Sequence, residues 1–443
     1  MSKQIGKHFF VVSAVTACLL LHQITDKVPD PYLDEIFHVP QAQRYVSGDY
    51  TWDPKITTPP GLYILTEYVL KSVNLFANVE PSVAVLRGIN TFGLAAVLPW
   101  VLYGLSKEQA HSISLFPVLY FFGFLFYTDI WSSIFILAAL YFSRSQRHIL
   151  AAITGFISVW FRQTNIIWLL EFMACALIDQ LWTMWPDLTN TEKKRQISVL
   201  WRHIKAASFH DLVRLAAAVS WAYSLVAAAF GYFVYLNGGI VLGDKSNHMP
   251  SVHVAQLLYC TVFIAAFSWP LWLSIKTPLR FLNVIYQKPL VFCIVALSFF
   301  LIIKYTTIEH PFLLADNRHY TFYLWRRLIK VNDIARYLAI PVYYFSIWII
   351  LKSLGGSRTQ NLLTILVFIG ATATVLIPTP LIEFRYYIIP YLVWRVRIAR
   401  PESARLIAEG IWYVVVNIIV FYIFLTMDFE WPSEPGKAQR FMW

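Results

Sequence analysis

Apolar runs of about 15 to 24 residues recur along the chain, close to the roughly 20 that a helix needs to cross a hydrocarbon core of about 30 Å. Short polar gaps part them. The pattern predicts spans at residues 8–24, 82–105, 111–127, 129–143, 148–163, 165–184, 213–235, 253–275, 289–305, 334–352, 361–377, 382–398 and 407–427, about thirteen crossings. Residues 61–76 carry a different pattern: Glu67, Lys71 and Asn74 recur at helical spacing beneath Leu62, Ile64, Leu65, Val69, Leu70 and Val73, as in a helix lying in the membrane interface. The expected fold is an all-α polytopic membrane protein, with residues 1–443 forming a single integral membrane domain.

Composition supports a bilayer as the solvent. The chain is 58% hydrophobic and 17% aromatic with only 14% charged residues, more apolar surface than a water-soluble fold of this length would hide. The net charge of +11 is unevenly spread. With the N-terminus cytoplasmic, Lys and Arg gather on the side predicted to face the cytoplasm, notably Lys193, Lys194, Arg195, Arg202 and Lys205, and then Arg400 and Arg405 with Arg395 and Arg397 at the adjoining end of the span 382–398. The charge is therefore a topology signal, and a nucleic-acid partner is not expected. The first run follows Lys3 and Lys7 like a signal peptide but lacks a small-residue cleavage site, so it reads as a retained span. Cys18, Cys175, Cys260 and Cys293 all fall in apolar runs, and no Asn-x-Ser/Thr sequon occurs.

The opposite, lumenal, side is predicted to carry the residues capable of chemistry. Its first loop, 25–81 with the interfacial helix, contains Pro31-Tyr32-Leu33-Asp34-Glu35-Ile36-Phe37-His38, in which two adjacent carboxylates follow directly on the first span. Two such acids repel, which favours different roles; a solvated helix start is the plainer alternative. Next comes Trp52-Asp53-Pro54-Lys55-Ile56-Thr57-Thr58-Pro59-Pro60-Gly61, a loop stiffened by prolines, in which Asp53 and Lys55 either meet substrate or simply lead into the interfacial helix. The loop 306–333 holds Asp316, Arg318, His319, Tyr320, Arg326, Arg327 and Lys330 among Phe322, Tyr323 and Trp325. Guanidinium groups at a membrane surface suit the phosphate of a lipid, though an aromatic belt with snorkelling cations would look similar. Arg162 in Phe161-Arg162-Gln163-Thr164-Asn165 and Arg385 near Glu383 are further lumenal cations, and either could be an ion-paired framework residue. The 243–253 stretch, with Asp244, His248 and His253, lacks metal-like spacing, so neither a metal nor another cofactor is expected. No Walker A, G-x-S-x-G or H-E-x-x-H motif occurs. One carboxylate plus cations suits transfer of a sugar from a phosphate ester, which needs a base but no strong acid, because phosphate leaves readily.

Six strings are long enough to be specific: PYLDEIFHVPQAQRY (31–45), WDPKITTPPGLY (52–63), FRQTNIIW (161–168), LLADNRHYTFYLWRR (313–327), EFRYYIIPY (383–391) and QRFMW (439–443). They resemble the dolichyl-phosphoglucose-dependent α-1,2-glucosyltransferases, from the first loop to the last residue. The resemblance implies a GT-C type fold in the endoplasmic reticulum membrane with a lumenal active site. It also implies a dolichyl phosphate glucose donor, a dolichyl-diphosphate-linked oligosaccharide acceptor, and addition of the last glucose in an α-1,2 bond. A β-linked donor and an α-linked product mean inversion in a single displacement. By the same likeness Asp34 is the expected base with Glu35 beside it. The candidate substrate-binding residues are His38, Trp52, Asp53, Lys55, Arg162, Asp316, Arg318, His319, Tyr320, Arg326 and Arg385. A dolichyl-phosphomannose transferase of the same architecture and a non-catalytic regulator of channels are the alternatives.

Overall fold

The computed structural model describes residues 2–245, 249–357 and 360–443, the side chains of residues 2–10 excepted; Ser246, Asn247 and His248 of the 243–253 stretch lie outside the described residues. Helices dominate, and two compact units emerge: Met1–Ser114, Phe122–His248 and Thr359–Ala371 in one, Leu115–Phe121, Met249–Arg358 and Thr372–Trp443 in the other.

Six described helical stretches are long and apolar enough to cross a membrane: Val83–Leu105, Asn165–Met184, Phe209–Asn237, Pro289–Thr306, Ala335–Gly355 and Ser403–Thr426. His148–Val159, Ala255–Phe267 and Leu362–Leu376 are shorter apolar helices. Their ends have recognisable causes. Ser82 accepts a hydrogen bond from the Val85 N–H at the start of the Val83–Phe92 helix. Pro289 occupies the first turn of its helix, where a missing N–H costs nothing. Gly238 closes Phe209–Asn237 in the left-handed conformation, φ 66°.

Residues 111–127, expected as one crossing, are instead two short helices, Ala110–Ser114 and Pro117–Phe122, followed by turns. Pro117 cannot donate to a preceding turn, and a Cβ on Gly123 would collide with the Leu94 side chain, so this apolar run is a buried, broken segment. The run 382–398 is likewise interrupted, with a tight turn at Phe384–Tyr387 ahead of the helix Ile388–Arg395. A helix, Gly61–Val73, occupies most of the 61–76 segment.

In the first unit, the helix Val83–Phe92 buries Arg87 and Asn90, one turn apart. Asp129–Arg144, His148–Val159 and Asn165–Met184 pack together beside it. In the second unit, Leu258, Phe299, Ile303 and Tyr343 form a core among Ala255–Phe267, Pro289–Thr306 and Ile340–Gly355. Phe116 stacks on Tyr391 there, ring centroids 4.2 Å apart. Arg395 and Glu409, both fully buried, make an ion pair of 2.6 Å that Tyr413 joins.

The all-α expectation needs one amendment. Asp428–Trp431 and Glu434–Arg440 pair as an antiparallel hairpin, Phe429 opposite Gln439, with a register irregularity between Glu430 and Trp431. Arg440 donates to the Phe424 and Leu425 carbonyls at 2.9 and 3.2 Å, so a cation caps the C-terminal end of Ser403–Thr426 and docks the hairpin there.

Candidate active site

Asp34 and Glu35 are adjacent in sequence but part in space. Glu35 is fully buried, and Arg87 grips it through Nε–Oε1 at 2.9 Å and Nη2–Oε2 at 2.5 Å. The Tyr32 and Phe126 N–H groups donate to the same carboxylate at 2.9 and 2.6 Å, and Arg87 also donates to the Val28 and Asp30 carbonyls. Every face of that carboxylate is occupied. Asp34, at the N-cap of Glu35–Val46, is partly exposed and makes no side-chain capping bond. Its backbone N–H donates to the Tyr127 hydroxyl at 3.1 Å. Leu33, just before it, has φ 52°, a left-handed conformation costing on the order of 1 kcal/mol in a non-glycine residue. The bonds to Glu35 and Tyr127 on either side hold that turn.

Aromatic rings gather next to Asp34. His38 shares a 2.6 Å hydrogen bond with the Tyr63 hydroxyl, and its ring lies 6.0 and 6.1 Å from those of Tyr63 and Tyr127. Trp52 meets Tyr63 edge-on at 5.9 Å, and its buried indole N–H has no partner among the described residues. Burial pushes the Tyr63 phenol well above the ordinary tyrosine range, and the nearby Tyr45, Asp53 and Asp34 add to the effect.

The stiff loop is braced at both ends. Gln41 clamps it by donating to the Thr51 carbonyl at 2.9 Å and accepting from the Asp53 N–H at 3.0 Å. Gly61 donates its N–H to the Trp160 carbonyl at 2.8 Å, and a Cβ there would collide with that carbonyl. The Asp53 carboxylate accepts the Lys55 N–H at 2.9 Å, a turn-forming contact, while the Lys55 ammonium lies over the Phe37 ring at 5.6 Å. Arg162 pairs with Asp129 at 2.7 Å, two residues beyond Tyr127, and leaves its buried Nε without a partner among the described residues.

In the second unit the 313–327 string is fastened by the C-terminal residues. Arg318 pairs with Asp316 through Nε–Oδ1 at 2.8 Å and Nη2–Oδ2 at 2.7 Å, donates to Gln439 at 3.0 Å and lies 4.5 Å over Trp431. Trp431 donates to Asn317 at 2.7 Å. Backbone bonds Met442 N–H to Arg318 and Tyr320 N–H to Met442, both 2.9 Å, add a short strand-like contact, and His319 Nδ1 meets the Trp443 oxygen at 2.6 Å. Although burial works to raise it, Arg318 and His319 hold the Asp316 carboxyl below the usual aspartate range. The Tyr320 hydroxyl and the Trp443 indole N–H are buried donors with no partner among the described residues, their rings meeting edge-on at 5.2 Å. Arg326 is exposed over Phe322 and stands apart from this cluster. Arg385 pairs with Glu383 at 2.9 Å, the framework contact that its spacing allowed.

The sequence model of the DIE2/ALG10 family matches residues 28–396. The chain belongs to the DIE2/ALG10 family. Curated relatives of similar length carry the name Dol-P-Glc:Glc(2)Man(9)GlcNAc(2)-PP-Dol alpha-1,2-glucosyltransferase. The mouse protein is 36% identical over 100% of both chains, that of Debaryomyces hansenii 38% over 94% of both, and that of Arabidopsis thaliana 34% over 98% of this chain and 99% of its own. No solved structure matches.

Several residues of this DIE2/ALG10 member's first-loop framework were not singled out from sequence: Arg87, Asn90, Tyr63, Tyr127 and Asp129. Arg87 and Asn90 carried a signal, being polar groups inside an apolar run, where an ionisable side chain needs a partner. Asn90 donates to the Leu125 and Tyr127 carbonyls at 2.7 and 2.8 Å and accepts from Trp131 at 3.0 Å, which fixes the turn bearing Tyr127. Asp129 carried the same signal, an acid at the head of the apolar run 129–143, whereas Tyr127 had none, since a tyrosine at the end of an apolar run is ordinary.

Proposed function

We propose that this chain is an inverting α-1,2-glucosyltransferase that uses dolichyl phosphate glucose to cap a glucose-terminated, dolichyl-diphosphate-linked oligosaccharide. Asp34 is the base in this reading. The single observation that carries it is the division of labour at residues 34 and 35: one carboxylate is saturated by four donors, while its neighbour is left partly exposed beside an aromatic cluster. The acceptor 2-hydroxyl oxygen attacks the anomeric carbon as its proton passes to Asp34. The bond from that carbon to the phosphate oxygen breaks, its electron pair leaving with dolichyl phosphate. Glu35 acts on this step only through the turn it anchors.

Arg318, His319 and Arg385 are proposed to contact the donor or acceptor phosphates, exchanging part of their pairing with Asp316 and Glu383 for phosphate oxygens. The unpartnered donors of Trp52, Tyr320 and Trp443 suit sugar hydroxyls or phosphate oxygens. His38, Asp53, Lys55 and Arg162 shape the first loop, and Arg326 meets lipid headgroups. The fold is proposed to be of the GT-C type with about thirteen crossings, the one at residues 111–127 made by a broken, buried segment instead of a continuous helix. Its active site faces the lumen of the endoplasmic reticulum, as the charge asymmetry of the gaps supports. The names of the full-length relatives support the choice of donor and acceptor.

Purified protein given dolichyl phosphate glucose and a glucose-terminated acceptor should add one hexose by mass. Asp34→Asn should lower the rate at least about a hundredfold with the melting temperature unchanged. Normal turnover by Asp34→Asn would move the base elsewhere. Transfer from dolichyl phosphate mannose alone would make the protein a mannosyltransferase.

A further inference from the structure

The second unit contains a cavity of about 380 Å³ to which the transfer reaction assigns nothing. Arg280, Lys352, Arg400 and Arg405 line it, with Glu402 the single carboxylate among its lining residues. The cations come from separate segments: Arg280 from the amphipathic helix Lys276–Gln287, Lys352 from the end of Ile340–Gly355, and Arg400 and Arg405 from the chain entering Ser403–Thr426. Arg405 also donates to the Leu271 carbonyl, and one carboxylate among four cations leaves the cluster net positive, which favours an added anion.

Trp394 supplies a second, independent sign. It lines the same cavity, its side chain is 1% exposed, and its indole N–H has no partner among the described residues. A buried donor of this kind calls for an acceptor. Cations from three segments and a tryptophan with an unsatisfied donor among the lining residues suit phosphate oxygens.

The cavity sits far from the 313–327 string. Ile340–Gly355 begins shortly after that string and carries Lys352 in its last turn, while Ser403–Thr426 starts at the cavity and finishes at the hairpin fastened to Arg318. A 24-residue helix spans about 36 Å, so the two places lie roughly a bilayer apart within this unit. The cavity opens on the face where the charge distribution predicts cytoplasm. We propose that it binds a phosphate-bearing anion at that surface, either the headgroup of a phospholipid or a free phosphate.

Full-length protein in phosphatidylcholine nanodiscs doped with phosphatidylinositol 4-phosphate tests this by native mass spectrometry. Wild type should retain the phosphoinositide over phosphatidylcholine. Arg280→Gln with Lys352→Gln, both on exposed positions, should weaken retention roughly 30-fold, about fivefold for each cation removed. Trp394→Phe should weaken it less, while Lys194→Gln with Arg195→Gln, on the other unit, should leave it unchanged. Displacement of the lipid by millimolar inorganic phosphate would identify a free phosphate as the ligand, and persistence would identify the headgroup. Equal weakening by the Lys194/Arg195 pair, or no preference by wild type for either phosphate probe, would overturn the proposal.

Discussion

The first loop and the 313–327 string both present polar side chains at the ends of apolar helices, yet they are held in opposite ways. The first is fixed from beneath: Arg87 and Asn90, on a helix otherwise suited to lipid, reach into the turn at Tyr32–Glu35 and the turn at Leu125–Tyr127. The second is fixed from the side, by the hairpin and the last residues of the chain. Glu35 and Arg87 are wholly shielded from solvent, whereas Arg318 and Asp316 keep side-chain exposures of 18% and 22%. Breaking a shielded pair strands a charge, while a partly solvated pair can exchange partners at little cost. A rigid mount suits a group that must aim at one hydroxyl. An exchangeable one suits cations that receive and release phosphate.

The contrast can be broken by substitution. Arg87→Ala should cost about 3–5 kcal/mol, because Glu35 would stay buried without its counter-ion; loss of monodisperse, folded protein in detergent is the readout. Gly61→Ala should cost about 1–3 kcal/mol by forcing the Gly61–Val73 helix off the Trp160 carbonyl, seen as a lowered melting temperature. Arg318→Ala should cost about 1 kcal/mol or less in stability while raising the KM for the lipid-phosphate substrate, a split that an equal thermal loss in Arg87→Ala and Arg318→Ala would refute.

The smallest effect concerns acid. Asp316 titrates below the usual aspartate range, so its pairing contributes stability above the unfolded value of about 3.9, and that contribution is lost as pH falls through the lower folded value. Hydrogen exchange at the Tyr320 amide, corrected for intrinsic rate, should therefore show unchanged protection between pH 7 and 5 and release only below about 4. Release already at pH 6 would show that Asp316 does not hold the fastening.

Much of the architecture was legible in the chain. The runs 165–184 and 289–305 became Asn165–Met184 and Pro289–Thr306 nearly residue for residue, since length and apolarity alone define a helix in a bilayer. The amphipathic spacing of Glu67 and Lys71 likewise announced Gly61–Val73, where Glu67 and Lys71 pair at 2.6 Å. The run 111–127 misled because burial against protein and burial in lipid select the same side chains, and Pro117 with Gly123 was the warning. The hairpin at 428–440 escaped notice because its strands are short and mostly exposed, with little alternation to read.

The sequence by itself determined that the chain lives in a membrane, that two adjacent carboxylates follow the first span, and that arginines crowd the 313–327 string. These are properties of neighbours along the chain, set by side-chain chemistry and spacing. Only the tertiary structure decided which of the two carboxylates is anchored. That choice depends on Arg87 and on the Phe126 N–H, 52 and 91 positions away, and no local pattern encodes contacts at such separations.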